Sequence, residues 1–270
     1  MKYLRFLPLF LLIFLGSCSE QEIANSIEPS RDYGKQYNNK YKRLFNSLYI
    51  RMALDRERNS QALDLFMRDM EDIRDIKLYE KVSRLAINQY RYKDAQAISK
   101  HWNKIQKSSE SIKLGLIASL EDNDLDSAEI FYNQYLDFNQ VKSKVDYSRL
   151  FFYLLDNKNR LNVINFLSEK FSLDSSREFA LSFVELLYSY NLPIKTIELI
   201  EQIDNLNERN LIRLYANSHV LINQANIAQS ILENYLEDKK IIDKQVYIEL
   251  LEIYLIQKKS MKANNVIDLV

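Results

Sequence analysis

Leu125 to Leu136, reading LDSAEIFYNQYL, is the clearest copy of a unit that recurs seven times and so limits what this chain can fold into. A small residue, Ala128, is followed by Phe131, Tyr132 and Tyr135 at offsets of three, four and seven, which is one face of an α-helix. The same pattern falls at Ala62, Ala95, Ala128, Val163, Thr196, Ala228 and Ala263, in steps of 33, 33, 35, 33, 32 and 35 residues. Three residues past each anchor stand Leu65, Ile98, Phe131, Phe166, Leu199, Ile231 and Val266, apolar in all seven copies. One further on, only Ser99 breaks the apolar run. A period near 34 implies stacked helical hairpins. The small anchor supplies the short side chain that two helix axes about 8–10 Å apart require at their closest approach.

Composition agrees. Three glycines (Gly16, Gly34, Gly115) and three prolines (Pro8, Pro29, Pro193) in 270 residues are too few for the turns of a sheet or barrel, so the expected class is all-α. Lys plus Arg equals Asp plus Glu at 37 each, which argues against general binding to nucleic acid. Cys18 is the single cysteine, so no intrachain disulfide can form.

In chain order, Met1 to Ser17 reads as a secretory signal: Lys2 and Arg5 precede an apolar run of ten residues, Phe6 to Leu15. A helix needs about twenty such residues to cross a bilayer. The run ends in Leu15-Gly16-Ser17-Cys18, which resembles the lipobox of bacterial lipoproteins. That resemblance implies cleavage before Cys18 and acylation of its thiol, and Ser19, in place of Asp, implies delivery to the outer membrane of a Gram-negative cell. Residues 18–38, polar and carrying Pro29 and Gly34, read as a tether with a reach of about 25 Å. Residues 39–270 read as the repeat domain, with two helices per repeat. Ser175 with Glu178 fits a capping box for the fifth first-helix, and Pro193 fits the start of its partner.

Period, helix pairs and small anchors together resemble the tetratricopeptide repeat (TPR). The resemblance covers about 39–270 and implies a superhelical solenoid of about seven TPR-like hairpins whose first helices line a groove for a peptide or partner protein. The chain departs from the family in three ways. No proline follows any second helix, Val163 and Thr196 replace the usual alanine, and a small residue in the first helix is found only at Ser83, Gly115 and Ala216. Projecting the family's groove positions onto the first helices gives Arg51, Arg84, Asn88, Lys113, Phe152, Glu185, Arg213 and Asn217 as candidate groove residues. Arg213 with Asn217 echoes repeats that clamp a C-terminal carboxylate, although Glu249 stands where that pattern wants Asn. One groove column runs Arg51, Arg84, Ile117, Phe152, Glu185, Asn217 and Glu252, basic at one end and acidic at the other.

No nucleotide loop, nucleophile elbow or metalloprotease motif is present. His101 and His219 are far apart in sequence and lack a Cys/His/Asp cluster, so both read as packing residues. No catalytic residue, metal, cofactor or small-molecule substrate is expected. The expected role is a lipid-anchored, non-enzymatic scaffold on the periplasmic face of the outer membrane, holding an envelope protein or peptide. The alternative is a glycan-binding adaptor in polysaccharide export or peptidoglycan maintenance, for which Phe152 and Tyr188 are the groove aromatics.

Overall fold

The computed structural model describes residues 31–173, 176–204, 208–239 and 243–267. Within them the chain forms seven consecutive helical hairpins. The first helices are α1 (Arg31–Asp55), α3 (Ile76–Asn88), α5 (Ser109–Glu121), α7 (Lys144–Leu154), α9 (Arg177–Ser189), α11 (Arg209–Leu221) and α13 (Lys244–Ile256). Their partners are α2 (Asn59–Asp69), α4 (Tyr92–Ile105), α6 (Leu125–Asn139), α8 (Arg160–Leu173), α10 (Pro193–Ile200), α12 (Ala225–Lys239) and α14 (Ser260–Ile267). No strand occurs among the described residues. The fold is an all-α helical-repeat solenoid. The signal and Cys18 lie outside the described residues. The first helix begins at Arg31, eight residues ahead of the expected start at Asn39. Tyr33, Tyr37 and Tyr41, spaced by four, carry the helical period upstream through otherwise polar sequence.

All seven anchors are buried, and six of them are followed by a buried residue four positions on. Ile267 is the exception and is exposed. Thr196 replaces alanine without an unpaired hydroxyl because its Oγ1 donates to the Leu192 carbonyl at 2.9 Å, one turn back.

Turn chemistry repeats as strictly as the anchors. Five residues before six of the seven anchors stands a residue with positive φ: Glu57, Tyr90, Asn123, Asn191, Asn223 and Lys258. The next amide reaches back to the first helix, as in Arg58 to Ala53 (2.9 Å), Arg91 to Ala86 (2.8 Å) and Gln224 to His219 (2.8 Å). This is a left-handed C-terminal cap of the kind glycine usually makes. The fourth hairpin differs: the side chain of the buried Asn157 accepts from the Asn159 amide at 3.0 Å.

Twenty residues before the second to seventh anchors lie the N-cap positions of the first helices: Asp75, Ser108, Ser143, Ser176, Glu208 and Asp243. Ser108 and Ser143 close full capping boxes with Ser111 and Asp146. The fifth cap is Ser176, whose hydroxyl accepts from the Phe179 amide. The expected box partner Ser175 lies outside the described residues. Pro193 opens α10 as expected.

Candidate functional site

Neighbouring first helices pack in the pairs α3–α5, α7–α9, α9–α11 and α11–α13, so their side chains form one face on α3 and α5 and another from α7 to α13, bridged where Lys113 lies against Tyr153. Every candidate groove residue lies on these helices, and most of the charges meet an opposite charge from the adjacent repeat. Arg51 pairs with the cap residue Asp75 (Nε to Oδ2, 3.2 Å). Arg84 pairs with Glu110 of the next first helix and with Glu80 of its own at 3.3 Å. Lys113 is almost wholly buried, with its Nζ 2.6 Å from Glu110 and 3.5 Å from the centre of the Tyr153 ring. Glu185 meets Lys144 at 2.7 Å. Arg177 meets the cap residue Glu208 at 3.1 Å. Asn88 is exposed and Asn217 half-buried.

Two sequence expectations change on this ladder. Arg213 does not present its guanidinium to a ligand: it donates to Glu249 at 2.5 Å, and both side chains are largely covered. The carboxylate-clamp reading fails at this point, because the glutamate in the asparagine's place neutralises the cation. The charges of the basic-to-acidic column are partly met locally, Arg51 and Arg84 by acids and Glu185 by a lysine, while Glu252 stays exposed. The apolar middle of the column holds Phe152, 67% exposed.

Phe152 edges an open depression of about 220 Å³ between α7 and α9, which brings together two of the sequence-derived candidates, Phe152 and Glu185. Phe151, Leu155 and Leu186 line it with apolar surface, and Ser148, Ser182, Glu185 and Ser189 add polar groups. These polar groups already hold one another. Ser148 Oγ lies 3.0 Å from Ser182 Oγ and donates to Glu185 at 3.3 Å, Ser182 donates to the Lys144 carbonyl at 3.0 Å, and Ser189 donates to the Glu185 carbonyl at 2.8 Å. The arrangement is a preformed apolar notch with a hydroxyl and carboxylate side. It offers hydrogen-bond acceptors and donors but brings no nucleophile and base together with an oxyanion donor. Beside it, the Tyr190 hydroxyl donates to the Leu154 carbonyl and ties the end of α9 to the end of α7; burial pushes this phenol up to about 12. Ser182 and Ser189 were not singled out from sequence, since a serine in an apolar helix carries no signal of its own.

The histidines pack. His101 stacks on Tyr79 with ring centroids 5.9 Å apart, and burial holds its imidazole below the usual value. His219 is buried against Tyr215, with Nδ1 2.7 Å from Gln224 Oε1. Trp102 is buried beside Tyr79 of the same hairpin. No group of three or more His, Cys, Asp or Glu converges on one point among the described residues. Nor is any described helix long and apolar enough to cross a membrane.

No protein-family model matches the chain, and no curated protein matches it significantly. Among solved structures it is similar to a tetratricopeptide repeat protein from Parabacteroides merdae, at 11% identity over 83% of this chain and 90% of that one, TM-score 0.37. It is also similar to the C-terminal part of a TPR repeat-containing protein from Cytophaga hutchinsonii, at 13% identity over 82% and 92%, TM-score 0.41. A third similar structure is Pseudomonas aeruginosa PilF, at 11% identity over 71% and 88%, TM-score 0.36. The class assignment rests on this chain's own period, anchors and hairpins, which are those of a TPR-like helical-repeat solenoid.

Proposed function

We propose that this chain is a non-catalytic scaffold that holds an extended segment of a partner protein along the face of its first helices, centred on Phe152. The observation that carries this reading is the exposed Phe152 ring at an apolar notch, on a face whose flanking charges are already paired within the array. An aromatic anchor beside an apolar notch is the usual core of a protein-binding surface, and paired charges around it cost little to leave in place. The lipobox-like ending at Cys18 supports a lipid anchor, and with Ser19 it supports a site of action on the periplasmic face of the outer membrane. The glycan reading rests on Phe152 too, but the second groove aromatic named for it, Tyr188, is half-buried.

A photo-crosslinking residue placed at 152 in the cell should capture one discrete partner, while the same residue at Asn133 on α6 should not. The purified partner should then bind Phe152→Asp at least about tenfold more weakly than wild type. Equal capture at both positions, or capture of glycan alone, removes the proposal. For the anchor, Cys18→Ala should leave a precursor-sized chain that takes up no labelled fatty acid. If the mutant is still cleaved to the wild-type size and acylated, the lipid reading is lost.

A further inference from the structure

Helix α1 carries an apolar stripe that the fold leaves in solvent. Tyr41, Leu44, Phe45, Leu48, Tyr49 and Met52 follow each other at spacings of three and one, so they share one face, and each is 43–67% exposed. The opposite face, Ile50, Ala53 and Leu54, is buried in the core shared with α2 and α3. The stripe therefore keeps about half of its apolar surface in water. Phe45 and Tyr49 stack with ring centroids 6.1 Å apart, which makes the surface continuous. With large side chains offering about 200 Å² each, the exposed apolar patch is roughly 600 Å², at the top of what monomeric soluble proteins tolerate.

Charge says what covers it. The chain as a whole is neutral, but residues 31–58 hold eight Lys or Arg against three Asp or Glu, so the remainder carries the balancing negative excess. Lys42 and Arg51 sit on opposite borders of the stripe, each about 90° from its centre by helical rotation. Both keep half or more of their side-chain surface exposed while reaching to Asp72 and Asp75. Arg56 and Arg58 are exposed just past the C-terminal end of α1, interleaved with Asp55 and Glu57, and Arg43 is exposed on the other face. Aromatic and leucine side chains on one face, bordered by cations with long apolar stems, match the layered polarity of a phospholipid surface. A second copy of this helix would bring two surpluses of the same sign together. Helix α1 also belongs to the first hairpin described, so no earlier repeat among the described residues lies over it.

We propose that α1 lies in the plane of an anionic phospholipid surface, with the Tyr41–Met52 stripe sunk about 5–10 Å to the headgroup–acyl boundary. This contact is separate from any lipid on Cys18 and from the partner site at Phe152. It makes α1 a peripheral membrane element that sets how the array sits on the bilayer.

The test uses the full chain with Cys18→Ser, which removes both acylation and the native thiol. One version carries Phe45→Cys and a control carries Ile130→Cys on α6, each labelled with an environment-sensitive fluorophore. Vesicle flotation measures how much of each chain is attached, so the readout is taken per attached chain and is local to the label. With vesicles of phosphatidylcholine and phosphatidylglycerol, emission at 45 should rise several-fold and be quenched by nitroxide placed on the acyl chains, while emission at 130 stays as in water. Pure phosphatidylcholine should lower the fraction inserted by about tenfold. Leu44→Ser with Leu48→Ser should abolish the quenching at 45 without changing the far-ultraviolet circular dichroism. The proposal is overturned if the label at 45 stays in water on vesicles that carry the chain, or if 45 and 130 are quenched alike. It is equally overturned if 45 becomes shielded without vesicles as dimers form in sedimentation, or only when a protein partner is added.

Discussion

Phe131 lies where a side chain at position 115 would begin: a Cβ built on Gly115 would overlap its ring. The glycine serves a close approach between α5 and α6 and has no unusual backbone angle, so replacing it sets a packing clash against the roughly 0.5–1 kcal/mol that alanine gains in a helix interior. Gly115→Ala should push the Phe131 ring aside and cost about 1–3 kcal/mol, read as a fall in the urea midpoint at unchanged slope. A loss below about 0.5 kcal/mol would mean that α5 and α6 sit further apart than described. Asp124 is a second informative residue. Its carboxylate caps α6, and hydrogen bonds from the Ser127 side chain and then its amide hold its pKa below the ordinary carboxylate value against the opposing effect of burial. A depressed pKa in the folded state adds stability that is fully present above the unfolded carboxylate's pKa and is lost as pH falls through the folded value. Stability should therefore drop between pH about 5 and the acid range, and drop less in Asp124→Asn, whose amide caps without a charge. Parallel pH profiles for the two proteins would remove the carboxylate from the account.

Hairpin turns in a chain with so few glycines put ordinary residues in the left-handed region, and Glu57 and Lys258 do so without an asparagine's local hydrogen bonding to help. That conformation costs a side-chain-bearing residue about 1–2 kcal/mol, part of which glycine would return as lost unfolded-state entropy. Glu57→Gly should accordingly stabilise the protein by about 0.5–1 kcal/mol, and Asn123→Gly by less. A lowered midpoint for Glu57→Gly would contradict the positive φ at that turn. The same turns show what a reader of the sequence could find. Helix pairs were predictable because the anchors are small, apolar and evenly spaced, and Pro193 marks the start of α10. The caps were available too, since Asp75, Ser108, Ser143, Ser176 and Asp243 stand at one fixed distance before the anchors, but each alone is an ordinary polar residue. The candidate site was less accessible. Arg51 finds its acid 24 residues on, Arg84 26 and Arg213 36, so no single offset announces that these cations are already paired. Phe152 was placed on the groove face by register, whereas its company of Ser182 and Ser189 depends on how α7 and α9 pack.

Among the described residues the core is not one body but three, and α5 and α11 each contribute to two of them. Leu114 and Ala118 of α5 belong to the first cluster, while Ile112, Leu116 and Leu120 of the same helix belong to the second. Leu211 of α11 closes the second, and Ile212 and Ala216 open the third. Apart from side-chain contacts such as Lys158 with Tyr90, the stack is connected through neighbours, so its cooperativity depends largely on what crosses these two helices. Arg213 with Glu249 is such a link, joining α11 to α13 with side chains 25% and 10% exposed. Removing one partner of a largely covered pair leaves the other charge poorly solvated, and the residual exposure brings the cost down to about 2 kcal/mol. Glu249→Gln should therefore loosen the third cluster selectively. Amide hydrogen exchange should accelerate through α12, α13 and α14 by about an order of magnitude or more, while α3 to α6 exchange as in wild type. A uniform acceleration along the chain would show instead that the three clusters unfold as one unit and that the links at α5 and α11 carry no independent weight.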